Sequence, residues 1–122
     1  MRNMSFSLTT AQMIAGTKSV TRRLGWECLK PGERVMACEK VMGRRKGQPL
    51  VRLFPIKILS VRRERLDAIE LDPAYGAIEV KREGFPEMAP WDFVRFFCRS
   101  HKGCEEFTMV TRIEFRREIA ET

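Results

Sequence analysis

At 122 residues the chain has the length of one ordinary domain, enough to bury roughly two-thirds of the surface its unfolded form exposes. With 43% hydrophobic and 32% charged residues, no apolar run near the roughly 20 residues of a bilayer span and no apolar leader behind Met1, it is expected to be a folded cytoplasmic protein without a membrane partner. The formal net charge of +7 favours polyanionic partners, because clustered lysines and arginines release counterions when they neutralise phosphates, although charge alone also describes a merely basic, solvated surface.

No repeat, low-complexity tract or Gly/Ser linker divides residues 1–122, so a single domain is expected. Ser5-Phe6-Ser7-Leu8 alternates like a short strand. Thr9 and Gln12 have the spacing of a capping box, Leu8 and Met13 that of a hydrophobic staple, and Gly16 supplies a stop; a helix over Thr10–Ala15 follows. Lys30-Pro31-Gly32-Glu33 reads as a turn. Beyond it, Arg34–Val41 reads as a strand and Gly43-Arg44-Arg45-Lys46-Gly47 as a basic hairpin tip. Leu50–Val61, rich in Val, Ile, Leu and Phe, predicts a long strand broken or bulged at Pro55.

A helical middle comes next. Asp72-Pro73 caps and opens one helix that Gly84 closes, and Pro90 opens a second. In the second, Trp91, Phe93, Val94, Phe96, Phe97 and Cys98 leave only Asp92, Arg95 and Arg99 for a polar stripe, the pattern of a buried helix. Phe107 to Phe115 alternates with period two and predicts a half-buried antiparallel strand. The order of elements excludes a doubly wound sheet and predicts an α+β fold, a small mixed β-barrel with helices packed over one opening.

The most specific motif is Gly16-Thr17-Lys18-Ser19-Val20-Thr21-Arg22-Arg23, which fits G-x-K-x-x-T-x-R at every fixed position. A sharp turn after the helix lets Lys18 project a point charge and Arg23 a planar fork toward phosphate or carbonyl oxygens, with the Thr21 hydroxyl between them. In an extended chain Lys18, Val20 and Arg22 share one face while Thr21 and Arg23 share the other. Convergence of Lys18 with Thr21 therefore requires a bend. Without one, these charges are solvated surface groups.

The motif resembles the signature of the ASCH domain family, a branch of the PUA-like superfamily. Trp26, the turn Lys30-Pro31-Gly32, the segment Glu83-Gly84-Phe85 and the strand Thr111-Arg112-Ile113-Glu114-Phe115 extend the likeness, toward the larger phage-associated members, over nearly the whole chain. This resemblance implies a PUA-like barrel and an RNA or nucleotide partner bound around Gly16–Arg23, in RNA metabolism. Ligand contacts are then expected from Lys18, Thr21, Arg22, Arg23, Trp26, Phe85 and the basic tip Arg44, Arg45 and Lys46.

Enzymes of the family imply a second possibility, a small metal-independent hydrolase. It would be either an amidohydrolase that removes acetyl from the exocyclic nitrogen of acetylated cytidine or an RNA-cleaving enzyme. Lys18 would then be the base, Thr21 the hydroxyl that it activates or orients, and Glu83 the proton donor to the leaving amine. Such a lysine needs burial or a neighbouring Arg23 to lose its proton near neutral pH. Glu79 and Glu87 compete with Glu83, which is preferred for its Gly84-Phe85 context. A phage-associated protein-interaction module without a nucleic-acid ligand is the third reading.

Cys98, His101 and Cys104 form C-x2-H-x2-C, three potential ligands with Cys28 or Cys38 as a distant fourth. Zinc sites usually pair two ligand clusters, so the expected role is a helix C-terminus in which His101 and Lys102 complement the dipole and Gly103 ends the turn. No metal or cofactor is expected, and the four cysteines read as free thiols.

Overall fold

A computed structural model describes residues 1–118. Along these the elements run β1 (Arg2–Ser5), α1 (Thr10–Ala15), β2 (Val20–Arg23), β3 (Arg34–Cys38), β4 (Arg52–Arg65), α2 (Ala68–Leu71), α3 (Pro73–Arg82), α4 (Pro90–Ser100) and β5 (Met109–Arg117). The strands form one sheet, ordered β1-β3-β4-β5-β2 and curled into a half-barrel, with β1 and β3 parallel and the other pairings antiparallel. β1 and β2 are its unpaired edges.

Local chemistry accounts for the helix ends. Gly16 closes α1 in the left-handed conformation at φ 77°, where a side chain would be strained. The carboxylate of Asp72 accepts the Tyr75 N–H at 3.2 Å, and Pro73 occupies the first turn of α3. At the start of α1, however, the expected capping box and staple do not form. Thr9 makes no side-chain cap and Leu8 is exposed, while Thr10 Oγ1 donates to the Phe6 carbonyl at 2.8 Å. The first strand is also displaced: it covers Arg2–Ser5 in register with Val35–Cys38, and the chain turns between Phe6 and Thr9.

The sheet separates two cores. One contains Met4, Phe6, Met13, Ile56, Ile58 and Phe115; the other lies under α2–α4 and contains Leu66, Ile69, Val80, Phe93, Phe97 and Val110. Because both faces are covered there, Val110 to Ile113 are buried in succession and β5 is not the half-buried strand its alternation predicts. Phe107 lies outside the strand, exposed. Pro55 keeps regular register opposite Met36, and the irregularities fall at Ala37/Cys38 and Ile58/Ser60 instead. They bend the 14-residue β4 within the curl.

α4 is amphipathic rather than apolar all round. Phe93, Val94 and Phe97 are buried, whereas Trp91 is exposed beneath the Arg95 guanidinium, 4.9 Å from its ring. Among the described residues no helix is long and apolar enough to cross a membrane.

Candidate functional site

Both edges of the half-barrel contribute to one cavity of about 280 Å³. Ser5 to Thr9 reach it from the end of β1, and Thr21, Arg22 and Arg23 from β2. Successive side chains of any strand point to opposite faces. β2 is an edge strand, so side chains from both its faces reach the space beside it.

Lys18 precedes the strand. The turn at Gly16 and the bond from Ser19 N–H to the Arg82 carbonyl, 2.8 Å, hold residues 16–19 against the end of α3 and supply the bend that an extended motif lacks. Gly84 makes the close approach possible. Its φ is +100°, and a Cβ there would stand 2.8 Å from Gln12 Cγ of α1 and 3.5 Å from Lys18 Cβ.

At the polar end of the cavity, Lys18 Nζ donates to both the Glu83 carbonyl and Glu83 Oε1 at 2.8 Å, and both side chains are buried. Burial pushes the Lys18 pKa below its ordinary value; Glu83 opposes this shift and the nearby Arg23 and Arg22 reinforce it. Arg23 lies alongside. Its Nε donates to Thr21 Oγ1 at 3.0 Å, its guanidinium sits 4.6 Å over the Phe6 ring, and among the described residues it has no carboxylate in ion-pair contact. Burial lowers its pKa to about 10, against the pull of Glu83.

Arg22 turns to the other face, toward the helices. Nη1 donates to Glu83 Oε2 at 2.9 Å, and Nη2 reaches Glu79 Oε1 at 2.6 Å, Glu64 Oε1 at 2.9 Å and the Tyr75 hydroxyl at 3.2 Å. Its Nε is buried without a partner. Burial opposes the charge, but Glu83, Glu64 and Glu79 together raise the Arg22 pKa above its ordinary value. Arg112 of β5 closes the network, donating to Glu79 Oε1 at 2.5 Å and Oε2 at 3.1 Å. Although burial disfavours its charge, these guanidinium bonds hold the Glu79 carboxyl down at about 2.

The opposite wall is aromatic. Phe85 packs 5.2 Å from Phe96 and 6.0 Å from Phe93, and the His101 ring stacks on Phe97 at 4.1 Å. All five side chains line the cavity.

Lys18, Thr21, Arg22, Arg23, Glu83 and Phe85, expected from the sequence, therefore meet in one place. Of the competing glutamates, Glu79 belongs to the network beneath and Glu87 is exposed. Trp26 is not brought in: it adopts φ 57°, packs against the first core and carries the Arg2 guanidinium 4.8 Å over its ring. Arg44, Arg45 and Lys46 are exposed on the β3–β4 connection, away from the cavity.

His101 Nδ1 contacts the Phe97 carbonyl at 2.8 Å, and the Cys98 and Cys104 sulfurs stand 3.7 Å apart as free thiols, with burial pushing the Cys98 thiol up to about 11. Among the described residues, no group of three His, Cys, Asp or Glu side chains is placed to hold a metal ion.

Sequence reasoning passed over Phe6, Glu64 and Tyr75 as site residues, weighed His101 only as a metal ligand or helix end, and favoured packing for Phe93, Phe96 and Phe97. One signal was present. The α4 aromatics recur at helical spacing and continue to His101, which marks a single ring-bearing face. Searches of family models, of curated proteins and of solved structures find no match to this chain.

Proposed function

We propose that this chain is an ASCH-like protein of PUA-like fold and that its cavity binds one nucleoside unit of an RNA strand or a free nucleotide. The observation that carries the reading is Arg23, a half-buried guanidinium with no carboxylate in ion-pair contact among the described residues, held over Phe6 inside the cavity. Partial removal of a cation from water without a counter-charge carries a cost. A ligand carbonyl or phosphate supplies the missing acceptor in the bidentate geometry that arginine favours.

Phe85, Phe96 and the His101–Phe97 stack provide faces for a base. The volume lies near the lower end of the roughly 300–1,000 Å³ typical of small-molecule sites, which suits one base with its sugar. Fluorescence anisotropy with a short single-stranded RNA tests the reading. Arg23→Ala is expected to weaken binding at least tenfold; wild-type affinity in that variant refutes it.

The contact between Lys18 Nζ and Glu83 Oε1 favours a second reading, hydrolysis of the amide in N4-acetylcytidine. With its pKa lowered, Lys18 in the neutral form takes a proton from the Thr21 hydroxyl or from a water that Thr21 orients, and the freed oxygen adds to the acetyl carbonyl. The proton passes from Nζ to Glu83 across 2.8 Å and then to the departing exocyclic nitrogen as the C–N bond breaks. With water as nucleophile the products are cytidine and acetate; with Thr21, water must afterwards cleave an acetyl ester. Chromatography of acetylated cytidine incubated with the protein checks this: deacetylation that Lys18→Ala abolishes supports the route, and no turnover, or turnover surviving in the variant, rejects it.

A further inference from the structure

A second cavity, of about 240 Å³, shares Lys18 with the first. Met13, Phe54 and Phe115 make it apolar, and Arg116 and Arg117 make it basic. The Arg117 guanidinium lies 4.2 Å over the Phe54 ring. Neither arginine forms an ion pair among the described residues.

The two arginines leave β5 on different faces. Arg117 stands in register opposite Ile56 and shares the face of Phe54 and Phe115, whereas Arg116 shares the outer face with Lys57 and Arg34, its neighbours in register, although it also borders the cavity. A planar guanidinium already stacked on a ring offers its outer face to a base. Apolar floor, stacked arginine and a second bordering cation together match a nucleotide better than a simple anion.

We infer that the second cavity is a subsite for the neighbouring nucleotide of a single-stranded RNA whose first unit occupies the cavity beside Arg23. Its phosphate lies against Arg116 and Arg117, and its base stacks on the Arg117–Phe54 pair. Lys18, common to both cavities, stands where the two units join. This inference rests on the nucleoside-binding reading of the first cavity.

Cytidine and a single-stranded RNA tetranucleotide, each titrated into the wild type and into the double variant Arg116→Ala/Arg117→Ala, separate the two. Both positions are exposed, so an unchanged urea midpoint confirms that the variant is folded. The variant is expected to bind the tetranucleotide at least tenfold more weakly, with the slope of log affinity against log salt shallower by about 1.4 for two lost phosphate contacts to a single strand, and to bind cytidine as the wild type does. Arg116→Lys/Arg117→Lys is expected to restore the slope but not the full affinity, because an ammonium keeps the charge and loses the planar stack. Tetranucleotide affinity within twofold of the wild type, with an unchanged slope, overturns the subsite. Failure of cytidine to bind the wild type, with the tetranucleotide bound and the slope falling as stated, instead overturns the reading of the first cavity alone.

Discussion

Glu79 is fully buried between two guanidinium groups, and its removal tests whether the charge network holds the helical layer to the sheet. Its carboxyl falls from an ordinary 4.5 to about 2, and at about 1.36 kcal/mol for each pH unit that gap amounts to roughly 3 kcal/mol. The folded pKa is depressed, so this stability is present above about pH 4.5 and is lost as the pH falls toward 2. At pH 3 about 2 kcal/mol of it is already gone. Glu79→Gln strips the charge but keeps the shape, leaving Arg22 and Arg112 buried with a neutral partner, at a cost of about 3–5 kcal/mol near neutrality.

Against a total of roughly 6–18 kcal/mol for a chain of this length, a loss of about 3 kcal/mol is readily seen. It moves the urea midpoint by about 1.5 M at a slope of about 2 kcal/mol/M. Urea unfolding of both proteins at pH 7 and pH 3 is the assay. The gap between them is expected to narrow by about 2 kcal/mol at the lower pH. An equal gap at both pH values refutes the assignment, since carboxylates elsewhere in the chain affect both proteins alike.

Lys18, whose pKa is also depressed, here by burial, acts in the same sense in a more alkaline window: below its ordinary value of 10.5 the unfolded state holds the proton more tightly, so this group adds stability as the pH rises. Urea unfolding at pH 7 and pH 9.5 should show that gain in the wild type and not in Lys18→Met. Gly76→Ala is expected to destabilise by about 1–3 kcal/mol despite alanine's higher helix propensity, because its Cβ would stand 1.9 Å from the Ile69 carbonyl oxygen and 2.7 Å from Pro90 Cγ; thermal unfolding reads the loss. Replacing Arg44, Arg45 and Lys46 together by alanine should leave cytidine affinity within twofold of wild type by titration calorimetry, since the loop lies outside both cavities.

Short-range signals carried what the sequence revealed of the fold. The Gly16 stop of α1, the Asp72-Pro73 start of α3 and the Pro90 start of α4 occur as predicted, and α1 covers Thr10–Ala15 although the capping box that suggested its start does not form. β5 did not follow its pattern, because exposure of Val110 and Arg112 depends on whether helices cover the second face of the sheet, which alternation does not encode. In the site, the spacing of Lys18, Thr21 and Arg23 identified residues that meet, yet the bend at 16–19 and the edge position of β2 that bring them together come from pairings with Arg82 and with β5. Arg22 was expected at the ligand and Glu79 as a rival of Glu83, but their pairing with each other and with Arg112 was invisible for a related reason. Charged residues are ordinarily exposed, and these are matched across 57 and 33 positions of chain.

That network bears on why Glu83 sits where it does. A buried ion-pair cluster is seldom the most stabilising filling for its volume, and apolar side chains of similar size often do as well or better. Here one partner of the cluster also lines the cavity: Arg22 Nη1 holds Glu83 Oε2, which leaves Oε1 aimed at Lys18 Nζ. Rotation of the Glu83 carboxylate would break both contacts together. Arg22 is in turn held by Glu79 and Glu64, and Glu79 by Arg112 of β5, so the orientation of the cavity carboxylate is tied through three pairs to an internal strand of the sheet. A solvent-exposed glutamate at the end of α3 would have no such constraint, and the Lys18 ammonium would then lie in a cavity with a mobile counter-charge. The buried charges are therefore best understood as the support of the polar end of the cavity, with their stability cost set against the fixed geometry of Lys18 and Glu83.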